Sequence, residues 1–86
     1  MGKYKILIKK SASEELGKIQ KKDLLKIIER IQKLSLDPRP QGFQKLSVLE
    51  RYRLRQGNYR IIYSVSDKNY EIHIIKIGHR REIFRN

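Results

Sequence analysis

The chain has 86 residues, of which 21 are Lys or Arg and 9 are Asp or Glu, so its formal net charge is +12. This length allows one domain and leaves no room for a second hydrophobic core. The absence of cysteine excludes disulfides and zinc–cysteine sites, and two histidines are too few for a usual metal site, so we expect neither metal nor cofactor. The charge indicates a polyanionic partner, with an acidic protein or mere solubility as alternatives.

The hydropathy pattern predicts a protein without a membrane segment. No apolar run approaches the roughly 18 residues that a membrane-spanning helix needs, and no segment has the pattern of a signal peptide. We therefore expect a cytoplasmic protein. Internal repeats and low-complexity segments are also absent, so residues 1–86 are expected to form a single domain.

The first half of the chain predicts a strand followed by two helices. Residues 4–8, YKILI, have the pattern of a short strand. Ser11 and Glu14 have the spacing of a capping box at the start of a short helix. A longer helix is predicted over residues 22–36 and ends before Pro38. Its apolar stripe consists of Leu24, Ile27, Ile28, Ile31 and Leu34.

The second half of the chain predicts a meander of strands. Residues 37–47 read as a loop, and three strands follow at Tyr52–Gln56, Tyr59–Ser66 and Tyr70–Ile77. Their short connections imply antiparallel pairing. The predicted class is α+β: an antiparallel sheet, made of the N-terminal strand and the three-strand meander, carries a two-helix hairpin on one face.

The turn at Gly57-Asn58 determines which side chains share a face of the predicted sheet. With two turn residues, Arg55 lies opposite Arg60 and Leu54 lies opposite Ile61. The apolar face then carries Tyr52, Leu54, Ile61, Tyr63 and Val65, and the next strand adds Ile72 and Ile74. The other face carries Arg53, Arg55 and Arg60, and His73, Ile75 and Ile77 are expected to join it.

Arg55 and Arg60 are thus predicted to be cross-strand neighbours, although like charges in this position destabilise a sheet. Either both side chains extend into water, or a bound anion compensates their charge. The last strand ends in Gly78-His79-Arg80-Arg81, and we expect His79 and Arg80 to converge on the same face. Several cations with aromatic side chains nearby can hold phosphates and bases.

A cluster of this kind favours phosphoryl chemistry on RNA, in which the ribose 2′-OH attacks the adjacent phosphate in line. Arginine can orient the phosphate and stabilise its extra charge, but it stays protonated and is a poor proton carrier. His79 is the candidate proton carrier, with an ordinary loop residue as the alternative. His73 lies within a strand, where histidine is more often structural. Glu82 lies between arginines and is most simply an ion-pair partner.

The segments YRLRQGNYRIIYSV and IIKIGHRREIFR resemble the RelE/ParE superfamily of bacterial and archaeal toxins, and the RelE branch in particular. The resemblance covers nearly the whole chain and implies a RelE-like microbial RNase-type fold. It implies a type II toxin–antitoxin toxin, a metal-independent, ribosome-dependent mRNA endoribonuclease that inhibits translation. The implied partners are mRNA, the ribosomal A site and a cognate antitoxin, with the toxin monomeric alone and in a higher-order complex with antitoxin.

The resemblance also implies roles for individual residues. The family's basic residues map onto Arg53, Arg55, Arg60 and Arg80, and with His79 these are expected to form the catalytic set. The residues expected to bind RNA around them are Arg51, Arg81, Phe84, Arg85 and Lys45. Many relatives have a tyrosine where this chain has Phe84, and phenylalanine can stack on a base but cannot exchange a proton. Weakened catalysis is therefore expected.

Two other functions remain open at this point. A ParE-like toxin would act on DNA gyrase without nuclease residues; the arginines and His79 argue against it, and Phe84 argues for it. The third function is an RNA- or ribosome-binding module without catalysis. Three isoleucines expected on the arginine-bearing face are interpreted as core, covered in part by the C-terminal residues, or as a docking strip for the antitoxin. They are Ile62, Ile75 and Ile77.

Overall fold

The computed structural model describes residues 3–46 and 51–79, which form two helices and a five-stranded sheet. The elements in chain order are β1 (Lys5–Ile8), α1 (Lys10–Leu16), α2 (Lys21–Leu34), β2 (Gln44–Leu46), β3 (Arg51–Gln56), β4 (Tyr59–Ser66) and β5 (Glu71–His79). The predicted α+β class is confirmed. Within these two ranges, no helix is long and apolar enough to cross a membrane.

The strand order of the sheet is β1-β5-β4-β3-β2. The meander of β3, β4 and β5 is antiparallel as predicted, but β1 runs parallel to β5, with Ile6 beside Ile72, so the sheet is mixed. The loop predicted over residues 37–47 contains the short strand β2, which pairs with β3 through Gln44 and Arg53. Three residues are too few for a recognisable alternation of apolar and polar side chains.

The hydrophobic core lies between the helices and one face of the sheet. α2 contributes Ile27, Ile31 and Leu34, which are the buried part of its predicted apolar stripe. The sheet contributes the apolar face predicted from the hairpin register. The buried core consists of Ala12, Ile27, Ile31, Leu34, Tyr52, Leu54, Ile61, Tyr63, Ile72, Ile74 and Ile77. The helical hairpin therefore covers one face of the sheet and leaves the opposite face for other contacts.

The β3–β4 hairpin has the predicted register. Arg55 pairs with Arg60 and Leu54 pairs with Ile61, as a two-residue turn requires. Gly57 has a φ of 60°, which is the left-handed region that glycine adopts without steric cost. A glycine with positive φ at the first turn position matches the twist of the two strands, as in a type II′ turn.

Strand β5 contains a β-bulge beside the middle of β4. Ile62 pairs with Lys76 and Tyr63 pairs with Ile74, so Ile75 is an extra residue on β5. An extra residue shifts the alternation of side chains by one position. Every β5 side chain beyond Ile75 therefore points to the face opposite the one that a regular strand would give.

The bulge makes the predicted position of Ile77 wrong. Ile77 pairs with Ile61 and is completely buried in the core beneath the helices, instead of lying on the face of Arg60. Ile62 does lie on that face, but it is 7% exposed and so belongs to the buried residues. Ile75 is half-buried. Of the three isoleucines proposed as a strip, the structure leaves none exposed on the face of Arg60.

The beginning of α1 holds the bulged segment of β5 in place. The Ser11 hydroxyl donates to the carbonyl of Ile75 over 3.3 Å, and the amide of Lys9 donates to the carbonyl of Ile74 over 2.9 Å. The predicted capping box is wrong, because Lys9 is the N-cap residue and no side chain caps the helix. Ser11 stabilises the bulge instead of the helix end.

A polar cluster joins the loop after α2 to the turn between β4 and β5. The Arg39 guanidinium donates to both carboxylate oxygens of Asp67, at 2.9 and 3.3 Å, and lies 5.2 Å from the centre of the Tyr52 ring. The Tyr4 hydroxyl donates to the same carboxylate over 2.7 Å. The bonds from Arg39 and Tyr4 hold the pKa of Asp67 below its usual value. Because this ion pair is largely exposed, its contribution to stability is small.

Tyr63 extends from the core towards the same loop. Its side chain is completely buried, and its hydroxyl donates to the carbonyl of Pro38 over 2.8 Å. Burial disfavours the phenolate and raises the pKa of Tyr63 to about 12. Suppose that the pKa of a group is higher in the folded chain than in the unfolded chain. The free energy of unfolding then falls once the pH rises above the pKa of that group in the unfolded chain.

The stability of the protein is therefore expected to fall in alkali because of Tyr63. An unfolded tyrosine deprotonates near pH 10, whereas folded Tyr63 keeps its proton to about pH 12. Below pH 10 this group adds no pH dependence, and between pH 10 and 12 it lowers the free energy of unfolding by up to about 2–3 kcal/mol. Urea unfolding at pH 7, 10, 11 and 12 measures the fall.

The Tyr63→Phe variant is the matched test of this assignment. It loses the hydrogen bond to Pro38, at a cost of about 1 kcal/mol at neutral pH, but its alkaline fall is expected to be shallower. Equal slopes for wild type and Tyr63→Phe would contradict the assignment.

Candidate nucleic-acid interface

The sheet face opposite the helices carries a row of arginines, called here the arginine face. It consists of Arg51, Arg53 and Arg55 on β3 and Arg60 on β4. The register places Arg55 directly opposite Arg60, as the sequence predicts. Alternation along β3 then puts the other two arginines on the same face. The predicted placement of Arg53, Arg55 and Arg60 on one face is confirmed by this register.

Arg55 and Arg60 approach each other closely. In a hairpin with a two-residue turn, the pair next to the turn, Gln56 and Tyr59, is hydrogen-bonded, so the following pair is not. Non-hydrogen-bonded pairs have Cα atoms about 4.5 Å apart and bring their side chains closest together. Arg55 is exposed, but Arg60 is only 3% exposed. The interpretation that both side chains extend into water is therefore wrong for Arg60.

A depression of about 270 Å³ lies on the arginine face, next to Arg53 and Arg55 of β3. Its lining residues are Arg30, Gly42, Gln44, Arg53, Arg55 and Arg60. All four charged side chains in this lining are arginines, and no carboxylate lines it among the residues that the structure describes. The Arg53 guanidinium donates to the side-chain oxygen of Gln44 on the neighbouring strand. The geometry suits an anion with several oxygens, because each guanidinium presents a planar fork of donors.

Arg30 is the charged residue of this depression that the sequence did not predict. It lies on α2, off the apolar stripe, and its Nη2 donates to the backbone carbonyl of Arg55 over 3.3 Å. A signal was present, since the first half of the chain is rich in lysine and has only two arginines, Arg30 and Arg39. Both make defined contacts, Arg39 with Asp67 and Arg30 with Arg55.

The predicted position of His79 is wrong. His79 pairs with Tyr59, and the two rings make an edge contact with centroids 5.6 Å apart. It lines a depression of about 210 Å³ beside Lys18 and Ile19, on the helix side of the sheet. The cause is the bulge in β5, which places Gly78 opposite Arg60 and turns His79 to the other face. His79 therefore does not converge with the arginines.

His73 lies on the arginine face as predicted, but far from the depression. It pairs with Ser64, which is four residues along β4 from Arg60, or about 13 Å at about 3.3 Å per residue. Its Nε2 lies 3.2 Å from a carboxylate oxygen of Glu71. This position favours the structural interpretation of His73.

The remaining predicted site residues divide into two groups. Lys45 is exposed on β2 and pairs with Tyr52, which places it at a register position of the helix-side face. Four others lie outside the described residues: Arg80, Arg81, Phe84 and Arg85. Glu82, considered as an ion-pair partner, also lies outside them. In the described ranges, no three His, Asp or Glu side chains are grouped so that they could hold a metal ion.

Comparisons with known proteins relate this chain and its fold to one family. The family model of the ParE toxin of type II toxin–antitoxin systems matches residues 6–84. A chain of the crystal structure of the archaeal RelE–RelB complex from Pyrococcus horikoshii is 31% identical, with a TM-score of 0.83 over 91% of this chain and 96% of that one. No curated protein matches the chain at a significant level.

More distant solved structures share the fold. A chain of the intact Escherichia coli RelBE toxin–antitoxin complex is 23% identical, with a TM-score of 0.76 over 88% of this chain and 95% of that one. The YoeB/ParE toxin from Agrobacterium tumefaciens is 17% identical, with a TM-score of 0.75 over 87% and 96% of the two chains. With the family match over residues 6–84 and the archaeal likeness, these findings show that the chain belongs to the RelE/ParE family of type II toxin–antitoxin toxins.

Proposed function

We propose that this toxin is a ribosome-dependent mRNA endoribonuclease, which inhibits translation by cutting mRNA at the ribosomal A site. The observation that carries the proposal is the depression of the arginine face, whose four charged lining residues are all arginines. Two of them, Arg55 and Arg60, form a cross-strand pair of like charge. A phosphate bound in the depression would accept hydrogen bonds from the guanidinium groups that line it.

The proposed reaction needs orientation, charge stabilisation and two proton transfers. The ribose 2′-OH attacks the adjacent phosphorus, the O2′–P bond forms, and the P–O5′ bond breaks to leave a 2′,3′-cyclic phosphate and a 5′-OH. Arg53, Arg55 and Arg60 would hold the phosphate in line and stabilise the charge of the pentacoordinate transition state. Donors fixed on a sheet before the substrate arrives need no reorganisation during the reaction.

Proton transfer in this proposal does not use the described histidines. His79 lies on the helix side of the sheet, and His73 lies about 13 Å along β4 from Arg60. Arginine stays charged and cannot serve as the base. The proton carriers would come from residues beyond position 79, from the ribosome or from water. We retain Arg80 in the catalytic set, and Arg51, Arg81, Phe84 and Arg85 as RNA-binding residues, on the family resemblance alone.

The proposed partners follow from the relatives and the charge. The structures from Pyrococcus horikoshii and Escherichia coli contain RelB together with RelE. We propose that a cognate antitoxin likewise binds this toxin, which would be monomeric alone and part of a higher-order complex with the antitoxin. A net charge of +12 favours an acidic antitoxin as well as RNA. We propose the cytoplasm as the location of this toxin and its partners.

A gyrase-directed activity is the second candidate function. The family model that matches residues 6–84 is that of ParE, Phe84 stands where many relatives have tyrosine, and His79 lies away from the arginines. In this alternative the arginine face binds a protein or DNA, and no RNA is cut. In the third possibility, ribosome binding without catalysis, the chain binds RNA but does not cut it.

The test is an mRNA cleavage assay with and without translating ribosomes. The wild type is expected to cut only on the ribosome, and Arg55→Ala is expected to cut on the order of a hundredfold more slowly, because one preorganised donor is lost. Lys68→Ala removes the same charge from the exposed turn between β4 and β5 and is the matched control. Phe84→Tyr is expected to increase the rate if a tyrosine transfers protons in relatives.

The alternatives give different results in the same experiment. If a folded wild-type chain cuts no mRNA but inhibits DNA supercoiling by purified gyrase, the ParE-like function replaces the proposal. If it does neither but sediments with ribosomes, the non-catalytic module replaces it. Cleavage that is equal in wild type and Arg55→Ala would contradict the role of the arginine face.

A further inference from the structure

The edge of the sheet beside Arg55 has no strand partner within the described residues. β2 pairs with β3 from Arg51 to Arg53 and ends there, so β3 extends past it. Because Arg55 and Arg60 form a non-hydrogen-bonded pair, the backbone N–H and C=O of Arg55 point away from β4, towards this open edge. An open edge with an exposed carbonyl needs a donor from elsewhere in the fold or from water.

The guanidinium of Arg30 supplies that donor from the helix layer. Its Nη2 lies 3.3 Å from the Arg55 carbonyl, where a longer β2 would have placed a backbone amide. This is the one hydrogen bond that Arg30 makes within the described residues. Its Nε is buried and has no acceptor among those residues. One nitrogen of the fork therefore anchors the side chain, and donor capacity remains unused.

The anchored side chain of Arg30 belongs to the same depression as the arginine face. Arg30 lines it from α2, while Arg53, Arg55 and Arg60 line it from the sheet. The lining thus brings four guanidinium groups to one space of about 270 Å³. An anion in this space would lie close to all four guanidinium groups and could accept a hydrogen bond from the part of the Arg30 guanidinium that lines it.

We propose that Arg30 is a fourth cation of the RNA site, which binds a phosphate of single-stranded RNA from the helix side. This inference rests on the proposed function, since it assigns a further residue to the same site. Arginine suits the position because its planar fork can donate to the Arg55 carbonyl and to a phosphate at once. A lysine has a single ammonium group and cannot span both acceptors in fixed geometry.

The test measures the salt dependence of RNA binding. Fluorescence anisotropy of a short labelled single-stranded RNA gives the Kd of wild type, Arg30→Met and Arg30→Lys at several KCl concentrations. Each phosphate contact on a single strand contributes about 0.7 to the slope of log Kd against log[KCl]. Arg30→Met is expected to lose about 0.7 of slope and to bind about tenfold more weakly at low salt. Arg30→Lys is expected to keep most of the slope.

A matched control separates a local contact from general charge. Lys26→Met removes one positive charge from an exposed position one turn earlier on α2 that does not line the depression, and it is expected to change the slope by much less. Thermal unfolding of each variant shows that the binding data refer to folded protein. A structural role confined to the Arg55 carbonyl would lower the Tm of Arg30→Met and leave the slope unchanged.

The outcomes distinguish a failure of the role assigned to Arg30 from a failure of the proposed function. A folded Arg30→Met chain with the wild-type slope would overturn the role of Arg30 while the proposed function stands. Equal loss of slope in Arg30→Met and Lys26→Met would also overturn it, because the effect would then be one of net charge. A wild-type chain that neither binds nor cuts RNA would overturn both the inference and the proposed function.

Discussion

Arg60→Ala is expected to lower the rate of mRNA cleavage by a factor of 10² to 10³ and also to destabilise the fold. The catalytic loss follows from removing a guanidinium that lines the depression opposite Arg55. The structural loss follows from burial, since Arg60 is only 3% exposed. A loss of both activity and stability is expected for a residue that lines the depression and is also buried.

Two opposing effects determine the size of the structural loss. Truncation removes the buried aliphatic stem of Arg60, at about 0.8 kcal/mol for each buried methylene, together with the polar contacts of its guanidinium. It also removes the repulsion of Arg55, which is worth less than about 1 kcal/mol. The loss of packing and of contacts exceeds the relief, so we expect the free energy of unfolding to fall by about 1–2 kcal/mol. Urea unfolding measures this directly.

Two control variants separate catalysis from folding. Arg55→Ala removes an exposed arginine of the same depression and is expected to slow cleavage without a comparable loss of stability. Arg60→Lys keeps the charge and most of the stem but loses the fork, so it is expected to fold well and to cleave more slowly than wild type. An Arg60→Lys chain that cleaves at the wild-type rate would show that Arg60 acts in folding and not through its fork.

The parts of the fold that the sequence predicted correctly depend on local patterns. Alternation of apolar and polar side chains, together with a glycine that adopts positive φ, determines the register of the β3–β4 hairpin. That register places the arginines on one face and the core tyrosines on the other. The stripe of α2 likewise has a helical period that identifies its buried face.

The features that the sequence did not predict depend on contacts between distant residues. The bulge at Ile75 is supported by Ser11, which is 64 residues away in the chain, and no local pattern in β5 marks it. The single shift it introduces accounts for two errors, the positions of Ile77 and His79. Arg30 reaches the site from a helix layer whose own periodicity marks it as solvent-exposed. Such contacts become visible only when the elements are assembled.

The second prediction with a large expected effect follows from the bulge and concerns the stability of variants at Ile75 and Ile77. With the bulge, Ile77 is completely buried and Ile75 is half-buried. Ile77→Ala is therefore expected to lower the free energy of unfolding by about 2–4 kcal/mol, and Ile75→Ala by about 1 kcal/mol or less. For a domain of this size, the first change lowers the Tm by about 10 °C or more.

The pair is a sharp test because both substitutions are chemically identical and two positions apart on β5. The backbone carbonyl of Ile75, which accepts a hydrogen bond from the Ser11 hydroxyl, is present in both variants, so only the side-chain environments differ. Ile72→Ala serves as the reference for a core position that does not depend on the bulge, and it is expected to match Ile77→Ala.

A regular β5 strand would give a different result from the same three proteins. Ile77 would then share the arginine face with Ile75, so their alanine variants would show equal small losses while Ile72→Ala alone remained strongly destabilised. The same shift would return His79 to the side of Arg60 and restore it as a candidate proton carrier. The difference in stability between Ile77→Ala and Ile75→Ala therefore tests, without any assay of RNA, whether the arginine face must obtain its proton carrier from elsewhere.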